Sequence, residues 1–359
     1  MVAERPTTGQ RSGVQFSRAG VAYWTSVRRR GESEMDRRTL IGMLAGGLLV
    51  APFAGRAQPA PKVSRIGYIS FRPGPNEFEQ SFLRGLHERG WGEGQNLIVD
   101  FRWAAFDQQR LTAMVAELLA LQPALMVVAD GPGTVNMIRS LNPAMPIVVP
   151  AFADPITQGV TSNLARPDGN VTGVSALATE LAYKRMALLK EAVPGLRRAG
   201  ALYNAATPVP RGAAVSVDAG KELGVEVTQM PVRLPEGIDA AFAAAAREGV
   251  QGVAIVSSTA TITYRAPLCE LSLAHRLPTI FANRAYLKAG GLMSYGPDLE
   301  GAFQRSAYFV DRILKGAKPA ELPIEQTTAF QLVLHQRTAR SLGLRFPQAL
   351  LLRADEIIQ

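Results

Sequence analysis

The feature that most constrains the fold of this chain is a regular alternation of strand-like and helix-like segments. Short runs of β-branched and apolar residues alternate with stretches whose apolar residues recur three or four positions apart. The alternation occurs twice along the sequence, over about 110 residues each time. A repeated strand–helix pattern favours a parallel sheet covered by helices. We therefore predict an α/β fold with two Rossmann-like lobes, each built on its own parallel sheet.

Eight segments carry the strand signal, four in each run. The first run places them at 63–70, 97–103, 125–129 and 146–150, and the second at 199–203, 225–230, 252–256 and 278–282. Helices are predicted among them at 78–90, 111–119, 134–140, 182–192, 211–223, 238–248 and 265–275. The segment 125–129 is apolar throughout, as expected for a strand that is buried on both faces.

The single cysteine and the three widely spaced histidines exclude several kinds of site. Cys269 has no partner for a disulfide or for a cysteine-cluster zinc or iron–sulfur site. His87, His275 and His335 show no HExxH or other ligand spacing. We interpret His87 and His275 as surface or core residues and Cys269 as a buried small apolar residue. We therefore expect no catalytic residue, no metal ion and no cofactor.

The positive charge of the chain is concentrated in its first 57 residues. These hold nine arginines and four acidic residues, so the formal net charge of +9 falls to +4 over residues 58–359. The remainder contains no basic stripe with interleaved aromatic residues. The composition therefore indicates a mildly basic surface and no nucleic-acid partner.

Residues 35–58 have the pattern of an export signal. Arg37 and Arg38 precede an apolar run at 40–50, and small residues at 55–57 provide a cleavage site. The run is too short to span a bilayer core of about 30 Å, so we predict a cleaved signal peptide, with an uncleaved anchor helix as the alternative. The adjacent arginines allow the twin-arginine route as well as the Sec route, and we expect translation to start at Met35.

The loops after the strands form the candidate site. Ligands of parallel α/β sheets bind outside the carboxyl ends of the strands, and two lobes that face each other there would enclose one cleft. The candidate ligand-binding residues of the first lobe are Ser70, Phe71, Gly131, Gly133, Thr134 and Asp154. Those of the second lobe are Tyr203, Asn204, Ser258, Thr259 and Asn283, and Tyr295 is a further candidate. Most of the second set is polar and uncharged, which suits a small polar ligand oriented by hydrogen bonds.

Two positions in the first lobe allow two interpretations each. The loop 130–134 could expose backbone N–H groups to a carboxylate or phosphate, or form a tight turn with Thr134 as the N-cap of the next helix. Asp154 could bind an ammonium group or cap a turn before Pro155. The loops contain no histidine and no pair of nucleophile and base, which argues against an enzyme.

Several separated motifs, in the same order along the chain, resemble those of one family. The chain is similar over about 63–358 to the ABC transporter substrate-binding proteins of the tryptophan/tyrosine-type branch. The matching motifs are 95–97, 101–103, 154–159, 164–173, 290–296, 313–319 and 352–356. Two departures stand out. Asp168 replaces a glycine that the family usually has, and we expect little effect because Asp tolerates turn conformations. The segment 335–339 differs from the family's usual Asn-Leu-Lys-Thr-Ala. We interpret this segment as a helix start outside the cleft.

The resemblance implies the type I periplasmic binding protein fold, in which three chain crossovers form a hinge between the lobes. We place these crossovers at 172–179, 286–293 and 317–324. The predicted first lobe is then 63–173 plus 293–318, and the predicted second lobe is 174–292 plus 319–359, after an N-terminal extension and signal peptide at 1–57.

The resemblance also implies a periplasmic protein that traps a small solute and delivers it to an ABC permease in the inner membrane, and we expect a monomer. The ligand stays open among aromatic or branched amino acids, purine-like compounds and other small solutes. For an amino acid, we assign the carboxylate to Gly133 and Thr134, the ammonium to Asp154, and an apolar side chain to Phe71, Tyr203 and Tyr295. The alternatives are a periplasmic ligand sensor and an enzyme that uses the cleft between the lobes.

Overall fold

The computed structural model describes residues 63–177, 179, 181–206 and 210–359. The predicted signal peptide, its cleavage site and the start at Met35 lie outside the described residues. Within these residues no helix has the length and apolar character needed to cross a membrane.

Two separate sheets make up the described part of the chain. The first sheet has six parallel strands in the order β11-β5-β4-β3-β1-β2. Its strands are β1 (Ser64–Ser70), β2 (Leu97–Trp103), β3 (Leu125–Val128), β4 (Ile147–Phe152), β5 (Val171–Ser175) and β11 (Glu325–Gln326). All four residues of β3 are fully buried, as its apolar sequence predicts.

The second sheet has seven strands in the order β13-β12-β10-β9-β8-β6-β7. These are β6 (Arg198–Asn204), β7 (Glu226–Val232), β8 (Gly252–Ile255), β9 (Thr279–Phe281), β10 (Met293–Pro297), β12 (Phe330–His335) and β13 (Glu356–Ile358). All its pairings are parallel except that of β10 with β12. The carboxyl ends of most strands in each sheet therefore lie along one edge.

Helices connect the strands in the order that the sequence predicts. They are α1 (Glu77–His87), α2 (Gln108–Ala120), α3 (Pro132–Leu141), α4 (Leu181–Ala192), α5 (Arg211–Leu223), α6 (Ile238–Arg247), α7 (Thr259–Thr263), α8 (Arg265–Ala274), α9 (Leu299–Leu314), α10 (Gln336–Ser341) and α11 (Gln348–Arg353), with short 3-10 helices at Arg284–Ala289 and Pro319–Glu321. The helix ends follow local chemistry. A capping box of Asn76 and Glu79 starts α1, and Gly224, at φ 66°, ends α5 where the sequence predicts.

Each sheet contains a glycine that lets two neighbouring strands approach closely. A Cβ on Gly173 in β5 would lie 2.0 Å from the carbonyl oxygen of Val149 in β4, and φ at Gly173 is 147°. A Cβ on Gly296 in β10 would lie 1.7 Å from the carbonyl oxygen of Ala282, just after β9. No side chain fits at either place, so both glycines are required by the sheets themselves.

The crossovers between the sheets differ from the predicted boundaries. Met293–Pro297 was predicted in the first lobe, but it pairs with β9 and β12 of the second sheet. Residues 319–359 were predicted in the second lobe, but β11 pairs with β5 of the first sheet. The first sheet also extends to Ser175, beyond the predicted limit at 173. These short strands escaped the sequence pattern because they are held by their neighbours rather than by their own periodicity.

The observed crossovers lie between β5 and α4, between β10 and α9, and between β11 and β12. The predicted crossover at 286–293 is therefore wrong, because those residues form a 3-10 helix and the start of β10 within the second lobe. The crossover predicted at 317–324 is also wrong, because the chain stays in the first sheet through β11. The chain still passes three times between the two sheets, so each lobe is discontinuous in sequence, as the resemblance implies.

Candidate ligand-binding site

The carboxyl ends of the two sheets come together, and two contacts join the lobes there. Glu77 begins α1 in the first lobe and Arg265 begins α8 in the second, and Glu77 Oε2 lies 3.1 Å from Arg265 Nη2. Phe106 follows β2 in the first lobe, and its ring centroid is 5.7 Å from that of Tyr264 in the second. The two lobes therefore meet near the carboxyl ends of β1, β2 and β8.

Three aromatic rings form a chain of contacts across this junction. The rings of Phe71 and Phe106 meet edge to face with centroids 5.5 Å apart, and Phe106 then meets Tyr264. The Phe106 N–H donates to the Phe71 carbonyl at 2.7 Å, which fixes the loop after β2 onto the end of β1. Aromatic pairs of this kind contribute about 0.5–1.5 kcal/mol beyond the burial of their surface.

Phe106 reaches this position through an uncommon backbone. Ala105 and Phe106 have φ values of 52° and 61°, in the left-handed region that costs a non-glycine residue roughly 1–2 kcal/mol. Strain of this type collects at functional sites, where the surrounding structure holds it in place. Phe106 and Tyr264 were not among the predicted site residues, which came from other loops. Phe106 lies three residues after β2, and this position in a loop after a strand was the signal that could have identified it.

A buried group of charged and polar side chains underlies the first lobe's part of the site. The carboxylate of Glu79 accepts hydrogen bonds from the Tyr68 hydroxyl at 2.6 Å and from the Asn76 N–H at 2.8 Å, and it pairs with Arg72. Arg72 and Glu79 are 4% and 3% exposed, so this ion pair is desolvated. Burial and the neighbouring Glu79 raise the pKa of Tyr68 well above its ordinary value.

Asp130 lies beside this group, at the carboxyl end of β3. Its Oδ2 accepts a hydrogen bond from the Phe71 N–H at 2.5 Å, and its Oδ1 lies 3.4 Å from the Ser70 hydroxyl. Burial raises the pKa of Asp130 to about 7, although the bond from Phe71 and the charge of Arg72 act in the opposite direction. The two predicted residues Ser70 and Phe71 are thus brought together with an acidic residue that the sequence analysis did not select.

The loop after β3 starts α3 earlier than predicted. The N-cap is Gly131, in an extended conformation and without a side-chain cap, and Pro132 is the first helical residue. The interpretation of Thr134 as the N-cap is therefore wrong, because Thr134 lies inside the first turn and is 4% exposed. Apart from adjoining residues, no described atom lies within 4 Å of where a Cβ on Gly131 or Gly133 would be, so these two positions at the helix start are open. Its N–H groups are available to an anion.

Asp154 follows β4 and takes part in a turn. Its Oδ1 accepts from the Thr157 N–H at 3.1 Å, and its backbone carbonyl accepts from Gln158 at 3.1 Å. Both hydrogen bonds agree with the interpretation that Asp154 caps a turn. The ammonium-binding role of Asp154 stays a prediction.

The loops after the strands of the second lobe carry mostly uncharged polar groups. Ser258 is the N-cap of α7 and Thr259 its first residue, while Asn204 ends β6 and accepts from the Ala206 N–H at 3.3 Å. Asn283 follows β9, where its Oδ1 accepts from the Ala285 N–H at 3.0 Å. Its Nδ2 is buried and has no partner among the described residues.

Two predicted tyrosines belong to this second set. Tyr203, in β6, is 5% exposed. Tyr295, in β10, lies with its ring 6.3 Å from that of Phe330, and its carbonyl accepts from Arg185 Nη1 at 3.2 Å. Burial lowers the pKa of Arg185 to about 10, so its guanidinium remains charged at neutral pH. This buried arginine on α4 was also missed by the sequence analysis.

The histidines and the cysteine have structural roles. His87 ends α1 and is exposed, His275 contacts Asp239 at 2.7 Å, and His335 caps α10 as the predicted helix start. Cys269 is 2% exposed and donates to the Tyr286 carbonyl at 3.3 Å. Burial raises the pKa of its thiol to about 12, so it is not nucleophilic at neutral pH.

Asp168, where the family usually has glycine, lies in a separate depression of about 830 Å³ that Arg139 also lines. Its Oδ2 accepts from the Ser162 N–H at 2.8 Å and from the Ser162 hydroxyl at 2.5 Å. Arg139 donates to the Val160 carbonyl at 3.0 Å and to Asn170 Oδ1 at 2.9 Å. This depression lies at the amino end of β5, away from the carboxyl ends of the strands.

Comparison with known proteins identifies the family. Residues 66–358 match the family model described as ABC transporter substrate binding protein. This chain belongs to that family. The family consists of solute-binding proteins rather than enzymes, in agreement with the sequence prediction, and the resemblance that the motifs indicate is confirmed.

One curated relative and two solved structures are similar to this substrate-binding protein. It is 20% identical to a tyrosine-binding protein of Clostridioides difficile over 78% of this chain and 80% of the relative. A conserved domain protein of Vibrio cholerae gives a TM-score of 0.75 at 22% identity, with 82% of this chain and all of that chain covered. An ABC domain of Streptococcus pneumoniae in complex with L-Trp gives 0.71 at 23% identity, with the same coverage. These neighbours confirm the two-lobed type I fold.

Proposed function

We propose that this substrate-binding protein traps an aromatic amino acid between its two lobes for an ABC importer. The observation that carries the proposal is the contact of Phe106 in the first lobe with Tyr264 in the second, next to Phe71. Aromatic faces on both sides of the junction suit a ligand whose side chain is itself a flat ring. The names of a tyrosine-binding relative and of a solved complex with L-Trp support the same ligand class.

The remaining groups of an amino acid also match the site. The open first turn of α3, with Gly133 and Thr134, offers N–H groups and partial positive charge to a carboxylate. A carboxylate of the first lobe is expected to hold the ammonium group, for which the sequence analysis named Asp154. Tyr203 and Tyr295 add apolar surface from the second lobe, and the amide of Asn283 is a donor for a polar substituent.

Binding is coupled to movement of the lobes about the three crossovers. Only a closed arrangement lets one ligand contact both sheet edges, so the ligand stabilises that arrangement by the contacts it adds. The closed form then delivers the ligand to a permease in the inner membrane. The export pattern at 35–58 supports a periplasmic location for the mature chain.

A thermal-shift screen of the purified protein tests the ligand class. We expect L-tryptophan, L-tyrosine or L-phenylalanine to raise the melting temperature most, because a ligand that binds only the folded state stabilises it. Leucine, isoleucine, a hexose, a sugar alcohol and adenine are the comparison compounds. A larger shift with any of these than with all three aromatic amino acids overturns the proposal.

A further inference from the structure

The end of β3 carries a carboxylate without its own counter-ion. Asp130 lies close enough to Arg72 and Glu79 for both charges to act on it. Arg72 already pairs with Glu79, and both side chains are buried. Among the described residues, Arg72 is the cation whose charge acts on Asp130, so one cation faces two carboxylates. An ionised Asp130 is therefore left with an unbalanced negative charge, which is costly at a partly buried position.

Hydrogen bonds fix the Asp130 carboxylate in place without neutralising it. The Phe71 N–H and the Ser70 hydroxyl each approach one of its two oxygens. Each carboxylate oxygen has two lone pairs, so both oxygens can accept a further donor. Asp130 is half-buried rather than fully enclosed, so part of the residue stays exposed after the end of β3. A positioned carboxylate of this kind suits a cationic donor.

The same carboxylate lies beside the aromatic chain. Phe71, whose N–H bonds to Asp130, presents its ring to Phe106, which in turn contacts Tyr264. In a free aromatic amino acid the ammonium group and the ring are separated by two carbon atoms. Phe71 therefore contacts the carboxylate through its backbone and the aromatic chain through its ring, so one residue touches both groups.

Asp154 is the other candidate carboxylate for the ammonium group, and its contacts favour a ligand role less than those of Asp130. One of its oxygens caps the turn at Thr157, and its backbone closes the same turn. No aromatic ring contact involves its neighbours among the described residues. We propose that Asp130, rather than Asp154, binds the ammonium group of the ligand and so selects primary amines with an aromatic side chain. This inference rests on the proposed function for the identity of the ring.

Paired titrations of Asp130→Asn test the assignment. The probes are L-tryptophan and indole-3-propionate, which is the same molecule without the amino group. We expect the wild-type protein to prefer L-tryptophan by about 10- to 100-fold, the range of a hydrogen bond between charged groups. In Asp130→Asn this preference falls to about 3-fold or less, because the neutral amide keeps the shape and loses the charge.

Asp107→Asn is the matched control. It removes one carboxylate close to Phe106, and Asn keeps the N-cap bonds that Asp107 accepts from Gln109 and Arg110 at the start of α2. This variant is expected to retain the wild-type preference for the amine. An unchanged preference in Asp130→Asn, or an equal loss in both variants, overturns the proposal.

A pH series on the wild-type protein tests the same point without a substitution. Because burial raises the pKa of Asp130 to about 7, the ligand-free carboxyl gains a proton as the pH falls below neutrality. The groups that face it are Tyr68 and the Ser70 hydroxyl from β1, Arg72 from the loop after β1, and Glu79 from α1. The preference for L-tryptophan over indole-3-propionate should fall about tenfold per pH unit below the pKa. A flat preference between pH 5.5 and 8 contradicts the proposal.

A wider screen separates failure of this proposal from failure of the proposed function. If no aromatic amino acid binds, the proposed function fails, and the thermal shift is then measured with primary amines and their deaminated counterparts. An amine that stabilises the wild type and Asp107→Asn but not Asp130→Asn supports the role of Asp130. The absence of any such amine contradicts it.

Discussion

The two sheet edges that meet in this protein differ in chemistry. The edge of the first sheet carries ionisable groups, with Arg72 and Asp130 in the loops after β1 and β3 and Glu77 and Glu79 in the first turn of α1. The edge of the second sheet carries mostly amides, hydroxyls and phenols, with Arg265 and the buried Arg185 as its charged groups. The difference indicates a division of work, in which the first lobe holds the charged end of a ligand and the second closes over it.

The two lobes also have features in common: each contributes an aromatic ring to the junction, and each sheet depends on one glycine. Phe106 on one side and Tyr264 on the other are the groups that meet, so the ring contact is common to both lobes. Gly173 and Gly296 perform the same task in the two sheets, since each lets a carbonyl of the neighbouring strand approach where no Cβ fits. The two lobes are thus similar in sheet packing and differ in the polar groups at their strand ends.

The largest expected effect concerns these two glycines. Gly173→Ala and Gly296→Ala each force a Cβ against a backbone carbonyl, so each variant should lose about 3 kcal/mol or more of unfolding free energy. Urea denaturation followed by circular dichroism measures this loss. Gly74→Ala is the control, because the space beside Gly74 is open. A loss at only one of the two glycines would show that the sheets are not equivalent in this respect.

The next effect concerns the ring contact between the lobes. Phe106→Ala and Tyr264→Ala should each weaken L-tryptophan binding by about 10- to 100-fold, because each removes an aromatic partner and its buried surface. Titration calorimetry measures the change.

Phe106→Gly provides the matched variant for that prediction. Glycine accepts a φ of 61° without strain, so Phe106→Gly should be at least as stable as Phe106→Ala while it binds equally weakly. Wild-type affinity in either variant would show that the contacts among Phe71, Phe106 and Tyr264 do not take part in ligand binding.

The smallest effect concerns the ion pair between the lobes. Glu77→Gln and Arg265→Gln should each weaken ligand binding by about 2- to 5-fold, as expected for a partly exposed ion pair near 1 kcal/mol. The loss should appear as faster ligand release in stopped-flow measurements and should shrink at high salt. The exchanged pair Glu77→Arg with Arg265→Glu should recover part of the affinity. An unchanged release rate in both single variants contradicts a role for this pair in closure.

The strand–helix alternation predicted most of the framework, because apolar periodicity reports burial directly. All eight predicted strands are present, and α5 begins and ends at the predicted residues. The strands β5, β10, β11, β12 and β13 were missed, since their short sequences pair with neighbours that only the folded chain brings together. The domain boundaries were wrong for the same reason.

The candidate site was predicted less completely than the fold. Twelve residues were chosen by their position after strands, and Ser70 and Phe71 do lie together with the newly identified Asp130. Asp130 escaped selection because its importance depends on desolvation and on the pairing of Arg72 with Glu79, neither of which is visible in the sequence. Phe106 was not predicted because the candidates came from other loops, and the left-handed backbone that brings its ring to the junction is not expected for a phenylalanine.

Titration calorimetry with L-tryptophan and L-tyrosine at pH 7.5 tests the central claim most directly. The account predicts that at least one of them binds the wild-type protein with one ligand per chain and a dissociation constant near or below about 1 μM, which corresponds to roughly −8 kcal/mol. No detectable binding of either amino acid, together with saturable binding of a solute that lacks an aromatic ring, would contradict it.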